Sequence, residues 1–253
     1  MIGFILGTGE GKKILSLVNE FTDKIAVSTA TRYGGELLEN YKFKSINTKP
    51  LNKKEMTEWI KENEIKVLVD GSHPYAAEVT SNAIEICNEL KIEYVRYERK
   101  GVLEEIKGTD IIRVNNYDQV LECLKEIKGN VLNTTGGNNA DKFVKADFDY
   151  RIIHRILPMP KVLTKLIESG IKVPDIIALQ GPVTYDLEKA FIKHYDIKAL
   201  ITKDSGDNGG AYEKFKAARD SGAKTIIIEK PHFSYKNVFY NEEDIIQYLR
   251  TKN

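Results

Sequence analysis

Gly7-Thr8-Gly9-Glu10-Gly11 stands between the apolar run Ile2 to Leu6 and a helical pattern over 10–20. Glycines there permit a tight turn and let a phosphate approach the backbone, where a helix start offers unpaired N–H groups and positive dipole. The spacing G-x-G-x-G departs from the dinucleotide fingerprint G-x-G-x-x-G, so the stretch also reads as a plain glycine turn. After the second apolar run comes VSTATRYGG (27–35). An NAD-specific unit puts an acidic residue here for the ribose 2′-hydroxyl; Thr29 and Arg32 suit a 2′-phosphate instead, or Arg32 is an ordinary surface residue.

Other joins carry more chemistry than a turn requires. In VDGSHPYAAEVTSNA (69–83), Asp70 or Ser72 can cap a helix and Pro74 can open it, which leaves His73 and Tyr75 to explain. YVRYERK (94–100) brings Arg96 and Arg99, whose guanidinium forks suit carboxylates and phosphates, although a solvated charged run reads the same way. NTTGGNN (133–139) repeats the strand–glycine–helix turn with the hydroxyls of Thr134 and Thr135 beside Gly136. LQGPVTYDLEKA (179–190) sets Gln180 and Gly181 ahead of a helix. In LITKDSGDNGGAYEK (200–214) turn chemistry accounts for Gly206, Asn208, Gly209 and Gly210, but not for Lys203, Asp204 and Ser205.

These joins need strands and helices to hold them. Apolar β-branched runs are expected as strands at 2–6, 24–30, 42–46, 65–69, 92–96, 111–114, 130–134, 151–154, 175–179, 197–202 and 224–228. Helical patterns alternate with them at 10–20, 53–63, 76–90, 117–128, 138–145, 160–169, 184–193, 210–221 and 242–250. Asn52 with Glu55 predicts a capping box, and Leu51 with Met56 a hydrophobic staple. Strict alternation argues for parallel sheets covered on both faces. That is more strands than one open sheet ordinarily holds, so the expectation is two domains, 1–128 and 129–253. Ligands of such sheets bind outside the carboxyl ends of the strands, where all of these joins lie.

Composition narrows the class. Of 253 residues 42% are hydrophobic and 30% charged, and 38 Lys and Arg against 37 Asp and Glu leave a net charge of +1. Neither nucleic acid nor an anionic membrane is expected as a partner. No apolar run nears the ~20 residues of a membrane span, and no signal peptide is visible, so a cytoplasmic location is expected. Cys87 and Cys123 lack metal-ligand spacing, and no metal is expected.

Taken in order, GTGEG, VSTATRYGG, DGSHPYAAEVTSNA, YVRYER, NTTGG, RILPMP, LQGP and TKDSGDNGG resemble the precorrin-6A reductase family of corrin-ring synthesis, including its cobalt-precorrin-6A branch. The likeness covers residues 3 to about 231. Relatives commonly carry Gly at Leu6, Ala-Thr at Gly71-Ser72 and Phe-Ser at Val183-Thr184.

The resemblance implies an α/β fold of two Rossmann-like domains with mainly parallel sheets and an active-site cleft between them. It implies transfer of hydride from NADPH or NADH to one carbon of a double bond in the precorrin-6A macrocycle, with or without cobalt, giving precorrin-6B. Gly7, Thr8, Gly9, Glu10, Gly11, Thr29, Arg32, Thr134, Thr135 and Gly136 are then expected at the cofactor. Arg96, Arg99, Gln180, Gly181 and Ser205 are expected at the tetrapyrrole. His73, Tyr75, Lys203 and Asp204 are expected to orient ligands or supply a proton, a role that a substrate carboxyl or water can also fill. The expected assembly is a monomer or small homo-oligomer. Another NAD(P)-dependent oxidoreductase on the same scaffold, or a non-enzymatic nucleotide- or tetrapyrrole-binding protein, shares many of these features.

Overall fold

The structure, a computed structural model, describes residues 1–7, 11–98, 101–206 and 209–252. It contains two compact units, Met1–Lys100 with Pro231–Asn253, and Gly101–Lys230. Thr8, Gly9, Glu10 and Arg99, all expected at a ligand, lie outside the described residues.

In the first unit β1 (Ile2–Leu6), α1 (Gly11–Val18), β2 (Ile25–Thr29), α2 (Arg32–Glu36) and β3 (Ser45–Asn47) come first. They are followed by α3 (Lys53–Glu62), β4 (Val67–Gly71), α4 (Ala77–Leu90) and β5 (Glu93–Tyr97). The second unit runs through β6 (Ile111–Val114), α5 (Tyr117–Leu124), β7 (Asn130–Asn133), α6 (Ala140–Lys145), β8 (Ile152–Ile156) and α7 (Pro160–Glu168). It continues with β9 (Ile176–Ala178), α8 (Tyr185–His194), β10 (Ile197–Lys203), α9 (Ala211–Asp220) and β11 (Lys224–Ile228). The chain then returns to the first unit with β12 (Val238–Phe239) and α10 (Glu242–Arg250).

Each unit holds a six-stranded sheet, ordered β12-β5-β4-β1-β2-β3 in the first and β6-β11-β10-β7-β8-β9 in the second. Every neighbouring pair is parallel. From the far edge inward, both sheets follow the doubly wound pattern, with strand order reversing beside β1 in one and beside β7 in the other.

The division expected near residue 128 is thereby corrected. β6 pairs with β11 through Thr225↔Ile111 to Ile228↔Val114, so residues 111–124 belong with the later strands. The closing segment instead pairs with β5 through Val238↔Arg96 and Phe239↔Tyr97.

The sequence explains the elements locally. β1, β2 and β4 are buried along their whole length, as parallel strands covered on both faces must be. One core packs Phe4, Leu15, Val27, Val69 and Leu249 on one face of the first sheet, and another packs Ile5, Met56, Leu68 and Ile86 on the opposite face. Asn52 Oδ1 accepts from the Glu55 amide at 3.0 Å, and Glu55 returns an oxygen to the Asn52 amide at 2.8 Å. Leu51 joins Met56 in the same apolar cluster, completing the start of α3. Cys87 is buried within that cluster, where burial pushes its thiol up to about 12. Among the described residues no helix is long and apolar enough to cross a membrane.

Candidate functional site

In the first unit the carboxyl ends of β1 and β4 meet at the reversal of strand order, with Leu6 registered against Gly71. Gly7 donates its amide to the Gly71 carbonyl at 3.3 Å, holding the start of the β1–α1 turn beside the β4 exit. A Cβ added at Gly11 would stand 3.1 Å from both Leu38 and Leu6, and one at Gly71 would stand 3.2 Å from Leu6. Glycine therefore lets the start of α1 and the β4 exit pack closely against Leu6 and Leu38.

Thr29 ends β2, buried, and its hydroxyl donates to the Thr31 carbonyl at 3.1 Å. Thr31 caps α2 by accepting from the Gly34 amide at 3.0 Å. The turn so shaped carries Arg32 into solvent, its side chain 89% exposed and 3.2 Å from Glu36.

The β4 exit is built differently from the sequence expectation. Asp70 and Ser72 do not cap α4, whose first residue follows Ala76 without a side-chain cap. Asp70 is wholly buried and accepts instead from the Ser72 amide at 2.9 Å, the Thr80 hydroxyl at 2.8 Å and the Tyr94 hydroxyl at 2.8 Å. Arg96 reaches the same carboxylate at 3.0 Å, touches Glu98 at 3.3 Å and lies over the Tyr235 ring at 5.9 Å. Burial and the Asp70 charge push the Tyr94 phenol well above its ordinary range.

This corrects the expected role of Arg96 as an open fork for substrate carboxylates. Its strand position turns it inward, 1% exposed, where desolvation demands paired carboxylates. Above this knot His73 is exposed and Tyr75 half-buried, their rings 5.6 Å apart. The Tyr75 amide donates to His73 Nδ1 at 3.3 Å.

The second unit has an equivalent reversal between β7 and β10. Thr134 donates its hydroxyl to the Ile201 carbonyl at 2.8 Å, pinning the β7 turn to β10. Thr135 donates to Asn133 at 2.7 Å and accepts from the Tyr117 hydroxyl at 2.9 Å. Asn133 Nδ2 lies 3.1 Å from His154 Nδ1, and burial pulls that imidazole down to about 4. Gly136 sits at φ 88°, and a Cβ at Gly137 would stand 2.7 Å from Leu166, so this turn also depends on glycine.

At the β10 exit Lys203 lies 5.9 Å from the centroid of the Tyr117 ring. Ser205 is half-buried, and its amide donates to the Lys203 carbonyl at 3.0 Å. Asp204, expected to orient ligands or supply a proton, anchors a loop in the structure. It is buried, with one oxygen accepting the Val102 amide at 3.0 Å and the other the Leu103 amide at 2.8 Å. Both carboxylate oxygens are thereby engaged by backbone N–H donors of the 102–103 segment.

Gln180 and Gly181 are exposed in the loop before α8. Gly181 lines a pocket with Thr134, Gly136, Arg155 and Lys214.

Arg155 and Lys214 escaped the sequence reading, as did buried Glu188 of α8, which takes Arg155 Nη1 at 2.7 Å. A signal existed. Lys214 interrupts the buried stripe Ala211, Phe215 and Ala218, and Glu188 precedes buried Ile192 by four residues. Charges at core-facing helix positions ask for buried partners. Among the described residues no group of three or more His, Cys, Asp or Glu could hold a metal ion.

Comparison with known proteins adds an independent line. Residues 2–250 match the protein family described as Precorrin-6x reductase CbiJ/CobK. A cobalt-precorrin-6A reductase of Methanocaldococcus jannaschii is 36% identical over 242 residues, 94% of this chain and 92% of that protein. One from Priestia megaterium is 30% identical over 252 residues, 98% of each chain. A solved structure titled CobK precorrin-6A reductase superposes with a TM-score of 0.77, covering 99% of this chain and 96% of that one at 16% identity, a likeness of fold.

Proposed function

The chain belongs to the precorrin-6x reductase family, and from that membership we propose that it reduces precorrin-6A, in its cobalt-bearing form, to the corresponding precorrin-6B during cobalamin synthesis. It is an oxidoreductase acting on a CH–CH group, and the family implies a nicotinamide cofactor. The observation that carries this reading is the family match across residues 2–250, on a fold whose sheets each reverse strand order beside a glycine turn. The cobalt-bearing substrate is favoured by the names of the relatives at 30–36% identity.

The cofactor supplies hydride, so the protein needs no nucleophile of its own. The chain's work is to hold two ligands in register, exclude water and complement charge. Gly7 and Gly11, with Thr8, Gly9 and Glu10 between them, are the residues for the pyrophosphate. Thr29 shapes the β2 exit, and Arg32 offers the cation for a 2′-phosphate, which favours NADPH over NADH. Thr134, Thr135 and Gly136 form a second turn suited to a phosphate or carboxylate. The tetrapyrrole carries acetate and propionate arms, for which Arg99, Gln180, Gly181 and Ser205 remain proposed contacts.

His73, Tyr75 and Lys203 stand at strand exits and are the side chains proposed to orient the ring or deliver the proton that must accompany hydride. The reading carries with it a cytoplasmic setting and a monomer or small homo-oligomer.

Incubation with NADPH or NADH and precorrin-6A, with and without cobalt, tests the proposal. Coupled loss of reduced cofactor and a shift in the ring's absorbance supports it. Cofactor oxidation with other acceptors alone indicates a different oxidoreductase, and tight binding of competent substrate without turnover indicates a binding protein.

A further inference from the structure

The second unit buries two cations and one carboxylate beside one pocket. Arg155 and Lys214, each 8% exposed, line it, while Glu188 is fully buried and stands behind the wall. The pocket has room for about 170 Å³ and is completed by Thr134, Gly136, Gly181 and Gly209. That volume takes a carboxylate or a phosphate group and is far too small for a macrocycle.

The hydrogen-bonding capacity of these charges is not filled within the described residues. Glu188 Oε2 accepts from Arg155 Nη1 at 2.7 Å, and its other oxygen has no hydrogen-bond partner among the described residues. Lys214 Nζ donates only to the Gly209 carbonyl, at 2.6 Å, among those residues. Glu188 is thus bonded to Arg155 alone among them, half-buried Glu213 reaches Lys214 only through its charge, and both cations keep unused N–H donors where they line the pocket. Burial makes unused donors on a cation costly, whereas an anion entering here would gain charge-assisted bonds from two directions.

We propose that this pocket binds an oxyanion, a carboxylate or phosphate group, held between Lys214 and Arg155 while Glu188 fixes the guanidinium from behind. The source of the oxyanion rests on the functional reading above: a side-arm carboxylate of the tetrapyrrole, or a phosphate of the nicotinamide cofactor. Lys214 is pulled down to about 8 by burial and by Arg155, against the opposing pull of Glu188 and Glu213.

The test uses Lys214→Gln and Lys214→Arg in the full chain, with folding checked by circular dichroism. Two constants are read: KM for cobalt-precorrin-6A, and the dissociation constant of NADPH measured by fluorescence without tetrapyrrole. Lys214→Gln is expected to raise one of them about tenfold or more, while Lys214→Arg stays within about threefold of the parent. A rise in KM alone identifies the side-arm carboxylate; a rise in the NADPH constant identifies a cofactor phosphate. Both constants within about twofold of the parent, or equal losses in Lys214→Gln and Lys214→Arg, overturn the proposal.

Melting in inorganic phosphate against chloride at equal ionic strength supplies a measurement that needs neither substrate nor folded variant. The parent's melting temperature rises saturably at low phosphate concentration if the pocket takes an oxyanion, and no rise, or only the non-saturating rise that excluded phosphate gives any protein, overturns it. A parent chain with that phosphate response but no turnover of precorrin-6A defeats the functional reading and leaves the pocket standing.

Discussion

Arg96 and Asp70 are registered against each other on neighbouring parallel strands, with Nη1 3.0 Å from a carboxylate oxygen and side-chain exposures of 1% and 0%. The pair sits directly beneath the loop carrying His73 and Tyr75, and Arg96 Nη1 also meets the Ser72 hydroxyl at 3.3 Å. Removing one partner strands the other in a medium that cannot solvate it. Arg96→Ala is expected to lower stability by about 3–5 kcal/mol in urea unfolding. Parental stability combined with a raised KM for the tetrapyrrole would return Arg96 to the substrate.

Asp204 binds the backbone of Val102 and Leu103 across about a hundred residues of chain. Asp204→Ala leaves those amides unpaired and should cost about 1–3 kcal/mol. Turnover per folded molecule should stay within about threefold of the parent, because the carboxylate anchors a loop instead of moving a proton. Full stability with a hundredfold loss of kcat would contradict that assignment.

Among the described residues Arg32 is held only by an exposed i,i+4 pair with Glu36, so its loss has little structural consequence. Arg32→Ala should leave the melting temperature unchanged and raise KM for NADPH about tenfold, with KM for NADH unaffected. Equal changes with both cofactors exclude contact with a 2′-phosphate.

Lys214 is drawn from its ordinary 10.5 down to about 8, chiefly by burial and then by Arg155. Between those values the unfolded chain holds a proton that the folded chain lacks, so stability rises with pH through that window. Below about 8 both states are protonated and the full cost of the buried ammonium is present. In buffer free of phosphate and carboxylate, the parent should gain stability relative to Lys214→Met between about pH 8 and 10, as read by urea unfolding. A flat difference across that interval places the ammonium in contact with solvent.

Local signals in the chain reached as far as local physics does. The capping box of Asn52 and Glu55 formed as expected, because both partners lie within one turn. Fully apolar runs such as Ile2–Leu6 became central parallel strands, since nothing but burial on both faces suits them. β12 was not anticipated: Val238 and Phe239 make a strand only because β5 offers them an edge, a decision taken far away in sequence. The domain boundary was misplaced for the same reason.

The site divides along similar lines. Glycine turns at strand exits are local and were legible. The inward turn of Arg96 depends on which strand lies beside it, and a guanidinium that meets Asp70 looks the same in sequence as one that meets solvent. Lys214 and Glu188 were readable from their core-facing helix positions, but their meeting with Arg155 depends on strand order.

β5 waits for its outer neighbour until residues 238–239 arrive, after the whole second unit has been made. α10 follows, adding Ile245, Ile246 and Leu249 to the core that α1 began. On the ribosome, then, the first sheet emerges with one raw edge and part of its apolar face uncovered, and stays so while some hundred and thirty residues are translated. The motif-poor tail is the closing piece. A nascent chain cut short before it would leave the first unit as an edge-exposed fragment, a substrate for chaperones and proteases.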